Sequence, residues 1–159
     1  QAMMIKDLFK EASDFIDRKG FREIDYRKYM ECLLARDLGK DKVAVVSLVL
    51  DGLFHELVLR RVLEIGFNPH LGFLHRHLDF GFVKDLCHIL ESERDRQLVK
   101  FFGSPSVGEC LHKSNGRWMI NSMGMKKIAI SFENHKKKIL EYINILLDDF
   151  FGILRGGWS

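Results

Sequence analysis

Two histidines and an aspartate are spaced along this chain so that they would meet around one turn. His75 ends a short, mostly apolar segment, and Asp85 follows ten residues later inside a new helical pattern. His88 comes three residues after Asp85, so the two side chains share one face of that helix. Imidazole and carboxylate groups gathered at a buried turn are common metal ligands, and this spacing therefore indicates a metal site.

Glycine and proline punctuate the turn that carries His75. Gly66 stands where a long apolar helix should end, because a glycine just past a helix adopts the left-handed conformation without strain. Pro69 follows Asn68 and pushes it toward extended geometry, which prevents a return to helix. The sequence thus predicts a helix that ends at Gly66, a buried turn, and a second helix that carries Asp85.

This stretch resembles the signature of the CRISPR spacer-acquisition integrase, the universal Cas endonuclease of that system. The family's turn runs from a glycine through Asn-Pro or Asp-Pro to a Gly-aromatic step that ends in histidine, and residues 66–75 read GFNPHLGFLH. An acidic D-L-x-E helix follows in the family, where residues 85–88 of this chain read DLCH. The resemblance covers roughly residues 5–155 and implies the family's helical catalytic domain without its N-terminal β-domain.

The resemblance implies a DNA endonuclease and integrase that uses Mg²⁺ or Mn²⁺. It assigns Glu11, His75 and His88 to the metal, and Asp85 as a catalytic residue that either joins the ligands or orients one of them. Glu11 precedes His75 by 64 residues, in keeping with the family's spacing. Considered without the resemblance, Glu11 is a solvated acid at the edge of an apolar stripe.

Two positions depart from the family pattern. His88 stands where the family has Asp or Glu, and Glu91 stands where it normally has a basic residue. Loss of a carboxylate weakens binding of a hard cation, whereas an imidazole favours Mn²⁺ or Zn²⁺ over Mg²⁺. The function is thus either the enzyme or a catalytically degenerate module that binds DNA or a partner subunit. Taken singly, each histidine is a surface group or a satisfied core group.

Four basic side chains are candidates for DNA contact: Arg60, Arg76, Lys126 and Lys127. Arg76 adjoins His75 and is placed to touch a phosphate near the metal. Lysines that neutralise phosphates give salt-dependent affinity without sequence preference, and the alternative is a solvated face of an amphipathic helix. The resemblance further implies a small CRISPR adaptation subunit as partner and a homo-oligomer for the full-length protein.

The composition predicts a single packed domain. The chain has 159 residues, of which 47% are hydrophobic and 11% aromatic, and a net charge of +3 that permits a nucleic-acid partner without demanding one. Three widely spaced cysteines indicate reduced thiols in the cytoplasm rather than disulfides. Charges interrupt the apolar runs too early for a membrane span, and we expect no secretory signal.

Apolar periodicity predicts an all-α bundle of six or seven helices around a long buried helix. The elements expected are helices over 4–19, 26–37, 42–65 and 81–102, a short helix after Ser104 or Ser106, a β-hairpin near 111–121, and one or two helices over 126–154. Asp41 is the expected N-cap of the long helix, and the charge run at 91–97 indicates a solvated face or a break. We expect residues 1–3 to be a vector-derived extension and 4–159 to form one domain.

Overall fold

The structure, a computed structural model, describes residues 39–156. Five helices hold 72% of these residues, and one two-stranded antiparallel sheet is present among them. The all-α prediction is confirmed. The helices expected over 4–19 and 26–37, together with Glu11, lie outside the described residues. Within 39–156, no helix carries an apolar stretch long enough to span a membrane.

The described elements follow one another along the chain with short connections, except for the turn between the first two helices. They are α1 (Lys40–Glu64), α2 (Gly81–Ile89), α3 (Glu91–Phe102), α4 (Val107–Cys110), β1 (Leu111–Ser114), β2 (Arg117–Ile120) and α5 (Ser122–Gly156). Gly39 occupies the N-cap of α1 and Asp41 lies in the first turn, so the expected Asp41 cap is wrong. An acidic side chain in that turn still interacts favourably with the helix dipole.

Helix α1 is the long central helix, and it contacts α2, α3 and β2. Its buried residues recur every three or four positions, as expected for one helix face: Val46, Leu50, Phe54, Leu57, Val58 and Val62. Leu48 and Leu63 point away from this face and are 73% and 56% exposed.

The core divides into two apolar clusters. The first cluster joins the second half of α1, the turn, α2 and the second half of α5, and its buried residues include Val58, Phe73, Phe82, Leu86, Ile143 and Phe150. The second cluster joins the first half of α1 to the end of α3, the hairpin and the start of α5, and includes Val46, Leu50, Leu98, Phe101 and Ile128. Helices α1 and α5 contribute to both, so they connect the two halves of the core.

The helix expected over 81–102 breaks at Leu90. The Leu90 N–H bonds to the carbonyls of Leu86 and Cys87, both at 3.1 Å, and α3 begins at the next residue. The charge run that follows is not a solvated face, because four of its side chains are buried: Ser92, Arg94, Asp95 and Gln97. The break lies at Leu90, just before this run, whereas residues 91–97 themselves form continuous helix. The interpretation as a solvated face is wrong for those four residues.

The expected hairpin forms between β1 and β2. Leu111 pairs with Ile120 and Ser114 pairs with Arg117 in antiparallel register. Asn115 and Gly116 form the two-residue loop with φ values of 50° and 76°, and positive φ at both positions matches the twist of the flanking strands.

Candidate active site

Helix α1 ends as its sequence predicts. Gly66 has a φ of 75° and donates its N–H to Leu63 at 3.0 Å, while the Phe67 N–H bonds to Val62 at 3.1 Å. These two bonds satisfy the last carbonyls of the helix in a Schellman motif. Phe67 then packs against Phe82 of α2, with 4.5 Å between ring centroids, so the helix end is attached to the core.

The Asn-Pro step links this end of α1 to the start of α2. The side-chain oxygen of Asn68 accepts the His70 N–H at 2.9 Å and stabilises the turn locally. The Pro69 carbonyl accepts the N–H of Phe82 at 3.1 Å and of Val83 at 3.5 Å. A backbone carbonyl thereby caps the first turn of α2, where the structure shows no side-chain cap.

Two glycines allow the turn to close against α2. A Cβ at Gly72 would lie 2.3 Å from the carbonyl oxygen of His75, and a Cβ at Gly81 would lie at the same distance from that oxygen. Each hypothetical Cβ also meets the other glycine's backbone, at 2.9 Å and 3.0 Å. The carbonyl of His75 is thus held between two backbone segments that have no room for a side chain.

Asp85 is fully buried and holds the turn in place with its carboxylate. Oδ2 accepts the N–H of Phe73 at 2.6 Å and of Leu74 at 3.3 Å. Oδ1 accepts the N–H of His75 at 2.9 Å and lies 2.7 Å from Nδ1 of the same residue. Because both oxygens are occupied, this geometry favours the role in which Asp85 orients a ligand over the role in which it is one.

The contact with Asp85 fixes the His75 ring. A neutral imidazole that donates Nδ1–H to a carboxylate carries its lone pair on Nε2. The side chain is 30% exposed, so this nitrogen belongs to a ring that solvent and ligands can reach. His75 is therefore presented as a metal ligand or a proton acceptor by a buried partner.

His88 lies on α2, and its ring is next to that of His75 in the turn. The two ring centroids lie 6.3 Å apart in an edge-to-face arrangement. Nε2 of His88 is buried and has no hydrogen-bond partner within residues 39–156, and Nδ1 lies 4.0 Å from a Glu91 carboxylate oxygen. A buried nitrogen without a hydrogen bond is costly, and ligation of a cation would satisfy it.

An ion cluster lies beyond these histidines, where the buried Arg94 and Asp95 of α3 meet the exposed Asp51 of α1. Arg94 bonds to Asp51 of α1 and to Asp95, each at 2.8 Å. Burial lowers the pKa of the Arg94 guanidinium, but the hydrogen bond to Asp51 and the charge of Asp95 outweigh it and raise the pKa overall. Sequence reasoning missed this cluster, although Arg94 and Asp95 precede Leu98 by four and three residues and so share its buried face.

Cys87 directly precedes His88 in the sequence and lies near the negative charges of Asp51 and Glu91. Burial, with smaller contributions from the charges of Asp51 and Glu91, raises the pKa of its thiol to about 12. The thiol therefore keeps its proton at neutral pH, and a protonated thiol is a weak nucleophile. This argues against Cys87 as a nucleophile in the metal-free protein.

The side chains available as ligands indicate which cation would fit beside the two histidines. Within residues 39–156, no group of three or more His, Cys, Asp and Glu side chains is gathered for a metal ion. His75 and His88 supply two neighbouring imidazoles, which suit Mn²⁺ or Zn²⁺ better than Mg²⁺. Glu11, the carboxylate assigned by resemblance, lies outside the described residues, so its expected place in the site remains a prediction.

The four basic residues expected to contact DNA do not form one surface patch. Arg76 lies in the turn, and its Nε donates to the Phe73 carbonyl at 2.8 Å. The N–H of the same Phe73 bonds to Asp85. Arg60 pairs with Glu56 on the exposed side of α1 at 2.5 Å. Lys126 is exposed on α5, whereas Lys127 donates to the hydroxyls of two serines beyond the end of α3, in a separate cavity.

Comparison with known proteins assigns no family to this chain. No protein-family model, curated protein or solved structure matches it. The resemblance of residues 66–75 and 85–88 to the CRISPR integrase signature therefore stays a prediction, and the function has to be argued from the turn itself.

Proposed function

We propose that this chain is a metal-dependent DNA endonuclease or integrase domain of the CRISPR spacer-acquisition type. The observation that carries the proposal is the buried Asp85 carboxylate, which binds the backbone of the turn and Nδ1 of His75 together. A carboxylate that fixes the tautomer and direction of a partly exposed histidine is a typical support for a metal ligand.

The described residues have distinct roles in this proposal. His75 and His88 would hold the cation, with Glu11 as the carboxylate ligand, and Asp85 is a positioning residue that acts through His75. When bound, Mn²⁺ or Mg²⁺ would polarise a phosphodiester and favour attack by water or a 3′-hydroxyl. Arg76, fixed against the Phe73 carbonyl, is placed to bind a phosphate oxygen beside the two histidines.

The expected test is cleavage of branched DNA in the presence of Mn²⁺. The His75→Ala variant should lose activity by about a hundredfold or more, as is typical when a metal ligand or its support is removed. The matched control is His112→Ala, because His112 is an exposed histidine of β1, outside the turn. Activity that survives His75→Ala, or that falls equally in both variants, would exclude the site.

A second function is supported by the histidine at position 88. The resemblance implies Asp or Glu there, and within residues 39–156 no group of three or more His, Cys, Asp and Glu side chains is gathered for a metal ion. A centre short of carboxylate ligands favours a catalytically degenerate module that binds DNA or a partner subunit without cleaving it. DNA binding by the native protein, with no cleavage in Mg²⁺, Mn²⁺ or Zn²⁺, is the result expected for that function.

A further inference from the structure

A cavity of about 260 Å³ opens at the C-terminal end of α3, away from the two histidines. Apolar and cationic side chains share its wall: Leu50, Gln97, Lys100, Phe101, Ser104, Lys127, Ile128 and Ser131. The described residues that line it include two lysines and no Asp or Glu. Among the described residues, the charge that lines this cavity is therefore positive, which favours an anionic ligand.

Lys127 is held at the cavity by the segment that connects α3 to α4. Its ammonium donates to the hydroxyl of Ser104 at 2.9 Å and to the hydroxyl of Ser106. Both hydroxyls accept from the lysine, and their oxygens lie 3.4 Å apart, within hydrogen-bond distance of each other. When one hydroxyl donates to the other, the second O–H is still a donor that can turn toward an incoming anion. One ammonium and two polarised hydroxyls thus converge on one position, which is the donor set that a phosphate group requires.

The rest of the cavity wall suits the sugar and the base of a nucleotide. Leu50, Phe101 and Ile128 are 2%, 7% and 3% exposed and form an apolar floor. The Ser131 hydroxyl donates to the Gln97 side-chain oxygen at 2.7 Å, so the amide group of Gln97 presents its N–H donors. Sugar and base atoms have both an apolar surface and polar edges, and this wall offers a counterpart to each.

We propose that this cavity binds the phosphate group of a nucleotide, either free or within a DNA strand. Lys127, Ser104 and Ser106 bind the phosphate, and Lys100 at the rim adds a second positive charge. The site is independent of the proposed metal centre. The nine steps from Glu91 to Lys100 correspond to about 13.5 Å of helix, the rise of about four base pairs, so one duplex is long enough to span both places.

The experiment measures binding to the whole chain in buffer with EDTA, so that no metal site contributes. The probes are thymidine 5′-monophosphate, thymidine without the phosphate, and a short blunt duplex DNA, each followed by calorimetry and by amide chemical shifts. The expected result is binding of the monophosphate with shifts at Ser104, Ser106 and Lys127. Lys127→Met should weaken it by about tenfold or more, because a charge-assisted hydrogen bond is lost.

The matched control is Lys137→Met, which removes the same charge from an exposed position of the same helix. It should change the monophosphate affinity by less than about twofold. The double variant Ser104→Ala with Ser106→Ala keeps the net charge and should also weaken binding, and thermal unfolding confirms that each variant is folded. For duplex DNA, Lys127→Met should reduce the slope of log K against log salt concentration by about 0.9.

The outcomes distinguish the source of the phosphate. A Lys127→Met effect on DNA alone identifies the strand as the ligand, and an effect on the monophosphate alone identifies a free nucleotide. Equal affinities of Lys127→Met and Lys137→Met for both phosphate probes would overturn the proposal. Thymidine that binds as tightly as its monophosphate would also overturn it, since the cavity would then recognise only the apolar part.

Discussion

Asp85 illustrates how a residue type that suggests a ligand can instead support one. The carboxylate is fully buried and accepts hydrogen bonds from three consecutive backbone N–H groups and from the His75 ring. Ligation of a cation by either oxygen would compete with these bonds, which would then be left unsatisfied in the core. Asp85 therefore stabilises the turn, and any role that it has in chemistry is to orient His75.

Asp85→Asn should destabilise the protein by about 2–4 kcal/mol, since an amide has a single acceptor oxygen and buried N–H donors without partners cost about 1–3 kcal/mol each. The measurement is the free energy of unfolding by urea. Asp148→Asn is the control, because Asp148 is exposed on α5 and its replacement should stay within about 0.5 kcal/mol. Equal effects of the two substitutions would contradict the role of Asp85 in the turn.

Cys87 gives the protein a pH dependence in the alkaline range. The folded thiol has a pKa of about 12, whereas an unfolded cysteine titrates near the ordinary value of 9.0. Above that value the unfolded state releases its proton and the folded state does not. The contribution of Cys87 is thus fully present below about pH 9 and is lost as the pH rises, by up to about 1.4 kcal/mol per unit.

The variant Cys87→Ala lacks this titration. The difference in unfolding free energy between wild type and Cys87→Ala should therefore shift in favour of the variant between about pH 8.5 and pH 10.5. Denaturant unfolding of both proteins at each pH measures it. A difference that stays constant across this range would show that the thiol titrates normally in the folded protein.

At the scale of elements, the turn and α2 are joined through backbone rather than side chains. Gly72→Ala and Gly81→Ala should each destabilise the protein by several kcal/mol, because the new Cβ would lie 2.3 Å from the His75 carbonyl oxygen and the backbone would have to shift. Both variants should also lose His75-dependent DNA cleavage, since that carbonyl belongs to the residue that the turn positions. The measurements are the unfolding free energy and the cleavage assay.

Gly52→Ala in α1 should have the opposite effect on stability to Gly72→Ala and Gly81→Ala. A Cβ at Gly52 meets no atom within 4 Å, and the residue lies inside a helix. Alanine should therefore stabilise the protein by about 0.5–1 kcal/mol through its higher helix propensity. Destabilisation by Gly52→Ala comparable to that by Gly72→Ala would mean that a general intolerance of an added methyl group, rather than close approach at the turn, explains the effect.

The sequence predicted elements where local chemistry decides them. Gly66 and Asn115-Gly116 mark a helix end and a hairpin turn because positive φ is needed there, and the all-α class follows from apolar periodicity. The ion pair between Arg94 and Asp51 was not predictable from local pattern, since only the fold brings these two residues together. Likewise, the spacing of His75, Asp85 and His88 indicated proximity, but it did not show which atoms of Asp85 the backbone occupies.

At the scale of the whole molecule, α1 and α5 connect the two apolar clusters. The first cluster surrounds the turn and the second lies under the hairpin and the cavity of Lys127, with Leu53 packed against both. Residues on the same two helices thus stabilise the candidate active site and the proposed phosphate site. We expect the described part of the chain to unfold as one cooperative unit rather than as two.

Substitutions in either cluster should lower the midpoint of the same unfolding transition. Ile143→Ala in the first cluster and Leu98→Ala in the second should each cost about 2–5 kcal/mol, because both side chains are buried. Leu48→Ala, at a position 73% exposed, is the control and should cost about 0.5 kcal/mol or less. Far-ultraviolet dichroism and Trp fluorescence should give coincident midpoints in every variant, and separate midpoints would indicate two independent halves.

The buried carboxylate of Asp85 also has a consequence for solvent exchange. The amide hydrogens of Phe73 and His75 belong to a segment that is neither helix nor strand, yet both are bonded to a group with no exposure to water. Deuterium should replace them only when the first cluster opens, as slowly as it replaces the amides inside α2. A connecting segment between two helices should therefore appear, on the timescale of hours, as rigid as the helices that it joins.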